Sequence, residues 1–173
     1  MAHVNLGEYL VQQGRTEEAT AHWQAALKIE PHDAYAYYDL GVAASHAGKI
    51  EAAIANYRQA LECQPDLVKA CNHLAWILAT SPVPSLRDGP QAVALAERAA
   101  QLTHGLDPDV LSTLGAAYAC TGRFPEAVAA IQRAQRLPPL PTNPALADSL
   151  QVQLKFYGAN STFRDLSLTN AVP

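Results

Sequence analysis

The strongest constraint on this chain is an internal repeat. Leu6-Gly7, Gly14, Ala19, Trp23, Ala26 and Pro31 recur in the same order and at the same spacing as Leu40-Gly41, Gly48, Ala53, Tyr57, Ala60 and Pro65. The step between the two sets is a period of about 34 residues, the length of one helical-hairpin unit in a repeat array. The set returns once more as Leu114-Gly115, Gly122, Ala127, Ile131, Ala134 and Pro139. That second step is two periods plus six, so a third, longer unit lies between; it holds Leu74-Ala75 and then Ala92, Ala96 and Ala99. Its extra residues sit mostly in an inter-helix loop at 80–89, Thr-Ser-Pro-Val-Pro-Ser-Leu-Arg-Asp-Gly. The chain therefore parses into units at about 1–33, 34–67, 68–107 and 108–141, a capping helix at 142–157 and a tail at 158–173. A repeat of this length is one supersecondary unit that cannot bury its apolar face alone, so stacked neighbours replace a single globular core.

Each unit reads as two helices. In the first half a large residue, Leu-Gly and another apolar residue fall at i, i+3, i+4 and i+7, which is one helical face. In the second half alanine, an aromatic or aliphatic residue and alanine at i, i+4 and i+7 make another. Gly14, Gly48 and Gly122 stand between the halves, where a left-handed residue closes the first helix. The small residues let backbones approach while the large ones interlock. Alanine, about a fifth of the 173 residues, suits such close helix contacts.

Charge and targeting signals narrow the function classes. Twelve Lys and Arg against 16 Asp and Glu leave a net charge of −4, which disfavours nucleic acid as a partner. Cys63, Cys71 and Cys120 form no CxxC pair, so neither a disulfide framework nor a zinc site is expected. The N-terminus lacks a basic-then-apolar leader, and no stretch approaches the roughly 18 apolar residues of a membrane span. A soluble, cytoplasmic chain is expected, with no insertion of this segment into a membrane.

These residues and spacings resemble the tetratricopeptide repeat (TPR) family, whose signature is W-x2-L-G-x2-Y, then A-x3-F, then A and P over about 34 residues. The resemblance covers 1–141. The opening Trp position reads His3, Tyr37, Cys71 and Leu111, and the third unit has Ala75 for Gly and lacks the closing Pro. It implies an all-α fold, a right-handed superhelix (α-solenoid) of antiparallel helix pairs. Asn143-Pro144 is a good start for the capping helix, which would cover the last repeat with one wet face.

In such an array the first helices line a concave groove, and side chains there that do not hold the fold are available to a partner. Taken from the face offset from Leu-Gly, the candidates are Asn5, Glu8 and Gln12 in the first unit and Tyr35, Tyr38, Asp39, Val42 and His46 in the second. The third offers Lys69, Asn72, His73 and Trp76, and the fourth Asp109, Ser112, Thr113 and Ala116. Aromatics beside hydrogen-bonding groups are the composition of interface anchors. A peptide or helix of a partner protein is expected there, with Tyr38 and Trp76 as apolar anchors and Lys69 and Asn72 as polar ones.

Two known TPR subtypes fit poorly. The clamp that holds a heat-shock protein's C-terminal carboxylate would need Lys and Asn where this chain has Val4, Glu8 and Asp39, and two carboxylates would repel the ligand. The asparagine ladder of O-GlcNAc transferases reads Asn5, Asp39, His73 and Thr113 and stops at its first rung. No phosphate loop, metalloprotease motif or nucleophile elbow is present, so no catalysis, cofactor or metal is expected; His46, His73 and Asp39 read as groove residues facing water. The main alternative is the TPR portion of a longer enzyme, such as a bacterial glycosyltransferase. Self-association through the uncovered wall of the first repeat is compatible with either.

Overall fold

A computed structural model of the chain describes residues 10–11, 13–137 and 144–169. Asn5, Glu8 and Gln12 lie outside the described residues. Within the described residues the fold is all-helical: α1 (Thr16–Ile29), α2 (Ala34–His46), α3 (Ile50–Cys63), α4 (Val68–Thr80), α5 (Gly89–Leu102), α6 (Pro108–Cys120), α7 (Phe124–Arg136) and α8 (Pro144–Gly158), with short 3-10 turns at Pro84–Leu86 and Leu166–Leu168. Neighbouring helices are joined by links as short as Ala47–Lys49, too short for anything but a reversal of direction.

The chain divides into two compact units, Met1–Ala70 with Leu168–Pro173, and Cys71–Ser167. In the first, α1 packs on α2 and α2 on α3. Its core contains Leu10, Ala19, Trp23, Ala26 and Ala36, and a second cluster of Ala34, Ala60, Leu67 and Ala70 against which Tyr37 and Tyr38 rest. In the second, α6 packs on α5 and α7, and α8 packs on α7 and more lightly on α6.

The local chemistry follows the repeat. Asp33 caps α2 by accepting from the amides of Tyr35 and Ala36, at 3.0 and 3.1 Å. Asp107 caps α6 in the same way, at 2.9 and 3.2 Å from Asp109 and Val110. Such caps supply acceptors for the orphan amides of a first turn. At the other end of α2 and α6, Gly48 and Gly122 adopt φ of +70° and +80°. The amides after them, Lys49 and Arg123, reach back to the Ala44 and Tyr118 carbonyls at 2.8 and 2.9 Å, the closing bond of a left-handed helix terminus.

Helix contact depends on volume exchange across each pair. A Cβ at Gly41 would lie 2.6 Å from two ring carbons of Tyr57, and one at Gly115 would lie 2.8 Å from Ile131 Cδ1. A side chain larger than glycine there would force the large residue of the second helix to shift. At the corresponding positions of the third repeat stand Ala75 and Ala96, both fully buried. There the first helix carries the extra methyl and the second helix gives up the large side chain.

Candidate functional site

On α2 the face offset from the packing residues is led by Tyr35, which is 50% exposed. His46 is exposed at the far end of the helix, and Asp39 and Val42 are half-buried between them. Tyr38 has a different environment. Its ring lies 5.9 Å from that of Tyr57, tilted by 38°, and the Lys69 ammonium stands 5.9 Å from its centroid on the opposite element, within reach of a cation–π attraction. Burial, with the Asp39 carboxylate adding to it, pushes the Tyr38 phenol up to about 12. Tyr38 is thus a neutral, half-buried ring carrying a cation over it, and Tyr35, Lys69 and His46 are the more accessible groups of this unit.

In the second unit, Asn72 and His73 on one turn of α4 and Trp76 on the next are half-buried. The Oδ1 atom of Asn72 is enclosed and has no hydrogen-bond partner among the described residues. Trp76 Nε1 donates to Asp165 Oδ2 at 2.8 Å. Its indole lies 6.0 Å from the Phe163 ring, which itself meets Phe156 of α8 edge-on at 5.9 Å. Residues 158–167, read from sequence as a turn and a tail, run back along α4. Asn160, at φ +52°, ends α8 and reverses the chain, after which the segment bonds to the end of α4. Arg164 Nη1 donates to the Ala79 carbonyl at 3.1 Å, and the Asp165 amide donates to Thr80 O at 3.0 Å.

The last carbonyls of α4 are all occupied. Ile77 O accepts from the Ser81 amide at 3.0 Å and Leu78 O from the Asp88 amide at 3.1 Å. Arg87 Nη1 donates to Ser81 O at 3.2 Å. The longer loop of the third repeat and the C-terminal segment therefore share the orphan acceptors that a glycine terminus handles in the other repeats. Nothing in the repeat period signals this for Phe163, Arg164, Asp165 or Arg87; the sequence marks the place only by a Phe-Arg-Asp run soon after the helix-ending Gly158-Ala-Asn.

The fourth repeat presents less surface than its sequence suggests. Ser112 and Thr113 are 5% and 3% exposed, and Ala116 is buried beside them. Gln153 of α8, itself buried, donates to Ser112 Oγ at 2.7 Å and accepts from the Tyr157 hydroxyl at 3.1 Å. Ser112 thus receives α8 through Gln153, and Asp109 is the exposed member of the set. Cys120 Sγ donates to Ala117 O at 3.1 Å, and burial pushes its thiol up, the reverse of what a nucleophilic cysteine needs. Among the described residues no group of three His, Cys, Asp or Glu side chains could hold a metal ion, and no helix is long and apolar enough to cross a membrane.

Comparison with known proteins agrees with this architecture. Residues 4–68 and 85–144 match the tetratricopeptide repeat family. The chain is 35% identical over 92 residues, 53% of its length, to a probable biofilm formation methyltransferase, WspC, of Pseudomonas putida, and spans only 20% of that relative. Among solved structures it is similar to PilW, a type IV pilus biogenesis factor (TM-score 0.69, 21% identity, 92% of this chain and 74% of that one). The PilF protein of Pseudomonas aeruginosa gives a TM-score of 0.68 at 22% identity over 92% and 73% of the two chains. MamA of Desulfovibrio magneticus RS-1 gives 0.67 at 18% identity, over 92% and 89%. At these identities the likeness to the solved structures is one of fold.

Proposed function

The chain belongs to the tetratricopeptide repeat family, and on that premise we propose that it is a non-catalytic interaction module, an adaptor that holds a peptide or helix of a partner protein on first-helix side chains and helps assemble a complex. TPR proteins in general bind protein partners. The observation that carries the reading here is the division of labour along α2 and the start of α4. Ala34, Ala36, Gly41 and Ala70 are buried in packing, whereas Tyr35, His46 and Lys69 on the same two helices stay exposed. Together with Tyr38, Asp39 and Val42 they offer aromatic, cationic and carboxylate groups suited to a mixed-charge protein segment. Asn5 and Glu8 are proposed as further contacts of the same unit, and Asn72, His73 and Trp76 as partner-contacting residues of the second unit, taken by itself. The net charge of −4 supports a protein rather than a nucleic acid as the partner, and three cysteines present as thiols suit a reducing, cytoplasmic setting.

The test is capture on the immobilised chain followed by mass spectrometry, comparing the parent with a Tyr35→Ala, Lys69→Ala double variant. Neither side chain is buried, so the variant keeps its melting temperature. A protein retained by the parent and lost by the variant supports the reading; one retained equally by both, including when Tyr38→Ala is added, removes it. A second reading is that the array is the TPR portion of a longer enzyme, to which it presents substrates or partners. It is favoured by the similarity to a methyltransferase of which the chain spans a fifth. Sequencing the complete open reading frame decides between the two.

A further inference from the structure

We propose that the Trp76 face of α4 is a peptide-recognition site for an aromatic-Arg-Asp segment, and that Phe163-Arg164-Asp165 of the same chain is its resident occupant. The inference rests on the binding role proposed above and names the chemistry of the segment that one part of the surface takes.

The contacts are those of a bound peptide. The segment from Ser161 to Asp165 has no helix or strand of its own, so the contacts it makes outside itself are what order it. Its polar groups are matched one by one to α4: the Asp165 carboxylate takes the indole N–H of Trp76, the Asp165 amide bonds Thr80 O, and the Arg164 guanidinium bonds Ala79 O. A guanidinium at that place also opposes the negative end of the α4 dipole. Asp165 is held in register from its other side, since its Oδ1 accepts from the amide and hydroxyl of Ser167 at 3.0 and 2.6 Å. The aromatic anchor, Phe163, sits between Trp76 and Phe156. One main-chain bond, one aromatic in a two-ring slot and two charged side chains on opposite partners make a recognition pattern readable residue by residue.

The seal is incomplete. Trp76, Phe163, Arg164 and Asp165 are all half-buried rather than buried, in contrast to the Gln153, Tyr157 and Ser112 network. None of these four side chains is fully enclosed, which is the condition under which a segment exchanges. The segment is tethered directly to α8, so its effective concentration is of the millimolar order expected for a short linker. A partner carrying an equivalent segment must therefore either outcompete it or bind after it leaves.

The experiment uses a fluorescein-labelled peptide of residues 160–169 and three forms of the chain: parent, a chain ending at Ala159, and a full-length Phe163→Ala, Asp165→Ala variant. The shortened chain and the double variant are expected to bind the peptide saturably, with a change in tryptophan emission, and the parent at least tenfold more weakly. Peptides with Phe163→Ala or Asp165→Ala are expected to bind at least tenfold more weakly than the natural one. The double variant keeps the test open should the shortened chain fail to fold. If either form retains its helical circular dichroism and does not bind, or if parent and variants bind equally, the proposal fails. If both lose their helical signal the segment is a fixed part of the fold, which also overturns it. Failure of the partner-capture experiment leaves this outcome untouched, because only the chain and its own peptide are present.

Discussion

Replacing Gly41 by alanine sets two effects of opposite sign against each other. Alanine in place of glycine within a helix is favourable by about 1 kcal/mol. The new methyl, however, would lie 2.6 Å from Cδ1 and Cε1 of Tyr57 and 3.1 Å from its Cζ. Tyr57 is buried, and its ring is flanked by Tyr38 at 5.9 Å, so it cannot turn aside without disturbing a second aromatic. Overpacking of this kind costs about 1–3 kcal/mol. The net effect of Gly41→Ala is expected to lie between about zero and 2 kcal/mol of destabilisation. Truncating Tyr57 to alanine removes the obstacle at a cost of about 3–5 kcal/mol, and in that background the same substitution should become stabilising by up to about 1 kcal/mol. The pair then mimics Ala75 and Ala96 of the third repeat. Urea unfolding followed by far-UV circular dichroism, on the four chains of this double-mutant cycle, reads the coupling, expected at about 1–3 kcal/mol. A Gly41→Ala effect of the same sign and size in both backgrounds would refute the volume-exchange argument.

Further outcomes follow from the same structure. Burial holds Tyr57 and Tyr157 above the ordinary phenol range and Tyr38 at about 12. The fold therefore favours the neutral phenols, and their contribution is fully present below pH ~10 and lost as pH rises, through ~12 for Tyr38 and higher still for Tyr57 and Tyr157. Alkaline titration of tyrosinate absorbance is expected to show these three ionising only with loss of helix, and a smooth titration of all tyrosines with helix intact would contradict it. Gln153→Met keeps the volume of the buried side chain but strands the hydroxyls of Ser112 and Tyr157, at about 1–3 kcal/mol; thermal melts of that variant against Gln153→Met, Ser112→Ala, Tyr157→Phe should recover part of the loss. No recovery would mean that the hydrogen bonds at Gln153 are not what holds α8 in place.

The repeat architecture was legible because its determinants are local and periodic. Gly48 and Gly122 mark helix ends, Ala53, Ala60, Ala127 and Ala134 mark close contacts, and each recurs at a fixed spacing that a single sequence displays. Ala75 of the third repeat departs from the pattern by itself; Ala96, small where the other repeats carry a large side chain, removes the obstacle that its methyl would otherwise meet. What the spacing could not reveal is the chemistry joining distant residues. The Trp76–Asp165 bond spans 89 positions and the Gln153–Ser112 bond spans 41, with no periodic trace of either partner. Ser112, Thr113 and Ala116 likewise have the small side chains of a surface in sequence, yet all three are buried and Gln153 of α8 bonds Ser112. The candidate first-helix residues are partly legible for the same reason: their positions come from the period, but their neighbours do not.

The central claim is that the first-helix side chains left outside packing are the surface a protein partner meets. Site-specific photo-crosslinking in cells tests it most directly, with a benzophenone amino acid at Tyr35, at Lys69 and, as a control, at Ala55, an exposed residue of α3. The expected result is one discrete crosslinked protein from positions 35 and 69 and none from 55. The same product from position 55, or no product from 35 and 69, would contradict the claim.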